Sequence, residues 1–396
     1  MNEPTDRRRF LARSGLTAAL ALAGLPTAQA QAGDADSPRL LVVLLRGGMD
    51  GLAAVPPVGE PALAGLRPTL VPAQLLALEG PFALHPALRT AHALWQAGQL
   101  AVVHATGFDY TGRSHFEGQD VMQSGVMAPY TSPSGWVGRA MQAAGLGGGV
   151  AISIPMPLIL RGDPGAATEY PNWMAPPRPA LAADLQRLWR SDPALAPYAR
   201  HLAADGASGM AGGRPLNLRA AEFQEARSPA SLARLAAERM RESAGPRVGL
   251  IDIDSGFDTH AGQGADSGPH AAKLQEFDGI LQAFREGMGA LWAQSLVVTV
   301  TEFGRTVAEN GTTGTDHGVG SCCFVAGGLV RRSALIADWR GLARDALFQG
   351  RDLPVTIDAC AVYARVLQRA FGLDEARIQA EVLRHRPHPL LRDFLA

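Results

Sequence analysis

The run RLLVVLLRGGMDG, residues 39–51, decides the fold. From Leu40 to Leu45 it is apolar without a break, and it then turns on Gly47 and Gly48 into Asp50. A strand with one wet face alternates polar and apolar residues, whereas a strand covered on both faces is apolar throughout. Residues 39–45 therefore predict a central strand running into a polar glycine loop. The same composition recurs in LAVVHA (100–105), VAISI (150–154), VGLIDI (248–253), SLVVTV (295–300) and CCFVAGG (322–328). Helical patterns occupy 86–97, 182–204, 217–243, 269–293 and 358–371. Buried strands separated by helices predict an α/β fold, a three-layer sandwich with a central, mostly parallel sheet. The Ala- and Arg-rich stretch 180–245 breaks this rhythm and predicts a helical insertion in a single domain spanning 38–396.

Four of these strands run into loops of one kind. After 39–45 comes Asp50. After 100–105 come Arg113, Ser114 and His115. Asp258 and His260 follow 248–253. The last strand leads into TEFGRTVAENGTTGTDHG, with Glu302, Arg305, Asp316 and His317. Parallel strands point one way, and open α/β sheets bind ligands beyond their carboxyl ends, so the four loops are expected at one edge. Carboxylates and imidazoles converging from separate loops suit a divalent cation, and arginines suit the planar binding of phosphate or sulfate oxygens. Ser114 stands at a predicted helix start, a position that favours anions and can stabilise an alkoxide.

Each residue also has a plainer reading. Asp50, Asp258 and Asp316 suit turns. Ser114 and Glu117 have the spacing of a capping box. Arg305 can pair with Glu302 or Glu309. Asp258 and His260 are two apart, which on an extended loop would point them to opposite sides. Turn chemistry alone does not require Asp, Glu or His at all four strand ends.

The chain has 396 residues and a formal net charge of −1, which gives no electrostatic case for binding nucleic acid. Its start, RRRFLARSGLTAALALAGLPTAQA, has an arginine pair before Phe10-Leu11, a weakly apolar run and an Ala28-Gln29-Ala30 cleavage pattern. This resembles a twin-arginine export signal over 1–30, with 31–37 as linker. The run is too short to span a bilayer, and no other run reaches that length, so the mature form is expected to have no stable membrane span. Cys322, Cys323 and Cys360 have no metal-site spacing and read as buried thiols.

LLRGGMDG, GRSHFEGQD, GWVGRAM, FDTH and TEFGRTVAENGTTGTDHG resemble the exported bacterial family DUF1501, which is grouped with the alkaline phosphatase and sulfatase superfamily. The resemblance implies an alkaline phosphatase-like fold for the mature chain. It implies metal ligands at Asp50, Asp258, His260, Glu302, Asp316 and His317, and a nucleophile at Ser114. Phe303 replaces a ligand histidine of the superfamily plan, so one ion is as consistent as two. The expected cofactor is a divalent ion (zinc, calcium, manganese or magnesium). The expected function is a periplasmic or exported hydrolase of small anionic phosphate or sulfate esters, carried by the twin-arginine machinery. Arg113 and Arg305 would bind the anion, and His115 would assist Ser114 in catalysis. The alternative is a non-catalytic scaffold that keeps the fold and binds an anionic ligand or a protein partner.

Overall fold

A computed structural model describes residues 37–153, 155–171, 179–192, 224–243 and 245–395. The expected export signal, most of its linker, and residues 193–223 of the 180–245 segment lie outside the described residues.

The sheet contains β1 (Arg39–Leu45), β4 (Leu100–Gly107), β5 (Val150–Ile152), β6 (Ala167–Thr168), β7 (Val248–Ile253), β8 (Ser295–Val300), β9 (Ser321–Ala326), β10 (Ala334–Ile336) and β11 (Ile357–Asp358). Two short strands, β2 (Leu76–Ala77) and β3 (Ala83–Leu84), form a separate hairpin. The main sheet runs β10-β4-β9-β8-β1-β7-β5-β6, with β11 also beside β4.

The unbroken apolar run of β1 has a direct cause. Leu40, Val42 and Leu44 pack into one core, and Leu41, Val43 and Leu45 into another. The first core lies under the helices His115–Ser124, Trp136–Ala143 and Ala359–Phe371. The second lies under Arg89–Gln96, Pro229–Arg241 and Pro269–Met288. Both faces of the strand are dry, and each fully buried Leu or Val stabilises the fold by roughly 1.5–3 kcal/mol. Helix Pro229–Arg241, at the end of the 180–245 segment, covers the sheet beside β7 and Pro269–Met288. Cys322, Cys323 and Cys360 are buried and free, and burial raises the thiol of Cys323 to about 12.

All pairings in the main sheet are parallel except the two that β9 makes, with β4 and β8. This exception positions the site. Because β9 runs against β8, the connection 301–320 leaves and re-enters the sheet at the same edge. That edge is also where β1, β4 and β7 end. Among the described residues, no helix is long and apolar enough to cross a membrane.

Candidate metal centre at the carboxyl edge of the sheet

Three imidazoles and one carboxylate meet at this edge. His115 Nε2 lies 3.0 Å from His317 Nε2 and 3.3 Å from Asp258 Oδ2. His317 Nε2 is 3.1 Å from Asp258 Oδ1. One ligand atom from each of His115, Asp258 and His317 falls within 4.8 Å of the others. His260 Nε2 lies 3.0 Å from both His317 Nε2 and Asp258 Oδ1, on the more exposed flank.

The outer nitrogens fix the tautomers. His115 Nδ1 faces Glu302 Oε1 at 2.9 Å, His260 Nδ1 faces Asp316 Oδ1 at 3.1 Å, and His317 Nδ1 faces the Arg113 carbonyl at 2.8 Å. All three partners are acceptors, so in neutral imidazoles each Nδ1 carries the proton. Each Nε2 then turns a lone pair inward, toward the Asp258 carboxylate. A shared proton can bridge one pair of these groups, but a multivalent cation satisfies the whole set. Four-coordinate zinc, with bonds of about 2.0–2.1 Å to nitrogen, holds neighbouring ligand atoms about 3.3 Å apart, close to the spacings seen. A carboxylate or carbonyl behind each imidazole is the usual outer shell of a metal-bound histidine. The residues therefore fit an ion.

Each position has a local cause. His115 opens the helix His115–Ser124 directly beyond the β4 loop. Ser114 is its N-cap residue, yet its side chain makes no cap bond, and the capping box does not form. The Tyr110 hydroxyl takes that place, accepting from Ser114 N at 3.2 Å and donating to Glu117 at 2.8 Å. A Cβ at Gly112 would meet that hydroxyl at 2.4 Å, so a side chain there would push Tyr110 off these bonds. Arg113 has a φ of +53°, which is costly for a residue with a side chain, and its carbonyl orients His317. Asp258 and His260 reach one point because their loop is turned rather than extended: Asp258 N donates to Ser255 O and Thr259 N to Phe257 O. The alternation expected of an extended loop does not apply.

Charge is neutralised locally. Burial pushes the Asp258 carboxyl up, but the Arg305 hydrogen bond at 2.7 Å and its charge outweigh that and hold it below the usual range. Burial likewise opposes ionised Glu302, and bonds from His115 and Gly47 N overcome it. His115 is raised, chiefly by its Glu302 bond, whereas burial lowers His317. The Asp316 carboxyl is lowered by its bond to His260.

The structure thus gathers His115, Asp258, His260 and His317, with Glu302 and Asp316 one step behind as orienting carboxylates. Asp50 is not brought to the cluster. Its Oδ1 caps the helix Gly51–Ala54 through Leu52 N and Ala53 N, and its Oδ2 accepts from Arg67 Nη1 and Gln263 Nε2, each at 2.7 Å. Arg305 is buried, with its donors on Asp258, Thr315 and Gly47, so it braces a ligand and has no reach to an outside anion. Arg113 is held by Asp352 and Gln349. Phe303 packs its ring 4.8 Å from His115 and 5.0 Å from His317, where an apolar wall replaces further donors. Sequence reasoning missed Arg67, Gln263 and Thr315. Gln263 sat in a polar glycine loop and was findable; Arg67 follows no strand and gave no signal.

A model of the family described as Protein of unknown function (DUF1501) matches residues 214–383. The match is confined to that segment, less than half of the chain. It contains Asp258, His260, Glu302, Arg305, Asp316 and His317, while Arg113, Ser114 and His115 precede it. No curated protein matches the sequence. Similar solved structures include the C-terminal periplasmic domain of EcEptC from Escherichia coli in complex with zinc, at 11% identity and TM-score 0.40, covering 76% of each chain. The PsFucS1 sulfatase from Pseudoalteromonas sp. is 12% identical with TM-score 0.43, covering 99% of this chain and 76% of that one. The lipoteichoic acid synthase LtaP from Listeria monocytogenes is 8% identical with TM-score 0.38, covering 96% and 82%.

Proposed function

We propose that this DUF1501 chain is an exported, metal-dependent hydrolase of small phosphate or sulfate esters. The observation that carries the reading is the convergence of the His115 and His317 Nε2 lone pairs on the Asp258 carboxylate, with His260 on the open flank. A donor set richer in imidazole than in oxygen favours zinc over calcium or magnesium. His115, Asp258 and His317 form the compact three-donor set, and three protein ligands with one open position is the pattern of catalytic zinc. Phe303 packs against this set, and among the described residues no second donor set lies beside it, which supports one ion. When bound, that ion supplies a Lewis acid and lowers the pKa of a coordinated hydroxyl.

The chain's own residues supply the rest. Ser114 lies between Arg113, which orients His317, and His115, and its hydroxyl is not used as a cap, so we assign it the attack on the ester. His260 is nearly half exposed and backed by Asp316, so it can take and return a proton on the open side. Arg305 holds Asp258 in place. Export through the twin-arginine machinery rests on the arginine pair and cleavage pattern of the first thirty residues.

The test is hydrolysis of a panel of aryl phosphates and sulfates by the metal-loaded mature chain and by Ser114→Ala. Turnover that falls roughly a thousandfold in Ser114→Ala, with metal retained, is the expected result. A metal-loaded wild type that turns over neither ester class would leave the binding scaffold as the better reading.

A further inference from the structure

With Arg305 buried against Asp258, Thr315 and Gly47, the anion of an ester substrate needs another cation. Arg46 brings no surplus charge, because it is paired one to one with Asp252 through Nε at 2.7 Å, and its Nη1 lies on Gln119 at 2.6 Å. Beside His317 there is a different arrangement. Asp352 is fully buried, yet two arginines hold it. Arg113 donates to Oδ2 from Nε at 2.8 Å and Nη2 at 2.6 Å, while Arg351 donates to Oδ1 from Nε at 2.8 Å. One carboxylate facing two guanidiniums leaves one net positive charge at the rim.

Both arginines are tied to the same metal-site residue. The Arg113 carbonyl accepts from His317 Nδ1 at 2.8 Å, and Arg351 Nη2 donates to the His317 carbonyl. Neither Nη1 makes a hydrogen bond among the described residues. The side chain of Arg351 is 46% exposed and that of Arg113 is 22% exposed. Asp352 needs only one partner for charge balance, and Arg113 already provides two bonds to it. The second arginine is a surplus charge, held rigid and turned outward.

We infer that Arg351, supported by Arg113, is the substrate-binding residue for the tetrahedral oxyanion, phosphate or sulfate, of the ester. This rests on the hydrolase reading above. Guanidinium forks match such oxyanions, and a fork already held in place loses less freedom on binding. His317 links the two functions, since a shift of its backbone would move the metal ligand and the anion clamp together.

The experiment is calorimetric titration of the full mature chain with inorganic phosphate and, separately, inorganic sulfate at low ionic strength. Wild type, Arg351→Gln, Arg351→Lys and the remote exposed control Arg340→Gln are compared, with metal content measured on each. Arg351→Gln should weaken the preferred anion roughly ten- to a hundredfold and keep its metal. Arg351→Lys should recover part of the loss, and Arg340→Gln should match wild type. The two titrations show which oxyanion the clamp prefers. The inference is overturned if wild type binds neither anion, if Arg351→Gln binds as wild type does, or if Arg340→Gln loses as much. A wild type without metal would defeat the hydrolase reading, and the anion titrations would still report on Arg351.

Discussion

His115 directs one ring nitrogen at a buried glutamate and the other at His317 and Asp258, and the two contacts have different consequences. The Glu302 contact fixes the tautomer and orientation, which leaves the lone pair of the inner nitrogen available to an ion. Glu302→Gln keeps the shape but loses the charge, so it should weaken zinc affinity about 10- to 100-fold without abolishing binding, measured by competition with a chromophoric chelator. His260→Ala should retain the ion and lose about a hundredfold or more in turnover, read from metal content and initial rates on one preparation. If His260→Ala loses its metal outright, His260 is a ligand and not the proton carrier. At this scale the sequence was half legible. Asp258, His260 and His317 were visible as polar residues beyond buried strands. Asp50 and Arg305 carry the same signal, because residues that bind ions and residues that staple loops are drawn from the same types. Only the partners chosen in three dimensions separate Asp50 on Arg67 from Asp258 on His317.

Among the elements, the connection 301–320 is tied down at several points. Arg67 donates to Asp50, Val307 O and Thr306 O, and Gln263 links Asp50 to Thr315, which in turn accepts from Arg305. A buried chain of bonds therefore runs from the end of β1 to the guanidinium that holds Asp258. Asp50→Asn leaves Arg67 buried without its counter-ion, and breaking such a pair costs about 3–5 kcal/mol. The urea midpoint should fall accordingly, while the folded fraction keeps its full metal content. Loss of metal with unchanged stability would place Asp50 in the site after all. Strand identity was legible from apolar continuity, and the capping box was misleading for a physical reason. Ser114 and Glu117 have the right spacing, but a tyrosine four residues upstream reaches the same groups first.

For the whole molecule, the parallel sheet was readable because both faces of each strand had to be apolar. The reversal of β9 was not readable, since a buried antiparallel strand has the same composition. That reversal makes 301–320 a rim loop rather than a crossover. Three buried histidines outside the site shape the acid response, and burial lowers His85 as well as the two that follow. Burial lowers both His104 and His270 from 6.5 to about 4. As pH falls below 6.5 the unfolded chain takes up protons that the folded chain refuses. Stability is therefore full above that pH and declines toward pH 4, by roughly 1.4 kcal/mol per pH unit for each histidine. For Asp50, burial acts upward but Arg67 prevails, and its carboxyl sits at about 2, so its share is lost only as pH drops from 3.8 toward 2. Urea titrations from pH 8 to 4.5 should show the first decline, and His270→Asn should make its slope shallower. A flat profile over that range would mean these imidazoles are not held neutral.

The central claim is that the imidazoles at the carboxyl edge hold a metal ion. Elemental analysis of the purified mature chain, beside His115→Ala and His317→Ala, tests it most directly. The expected result is about one zinc per wild-type chain and near-complete loss in both variants, each still folded by circular dichroism. A folded wild type that carries no metal and takes up none from zinc, manganese, calcium or magnesium, or variants that keep a full complement, would contradict it.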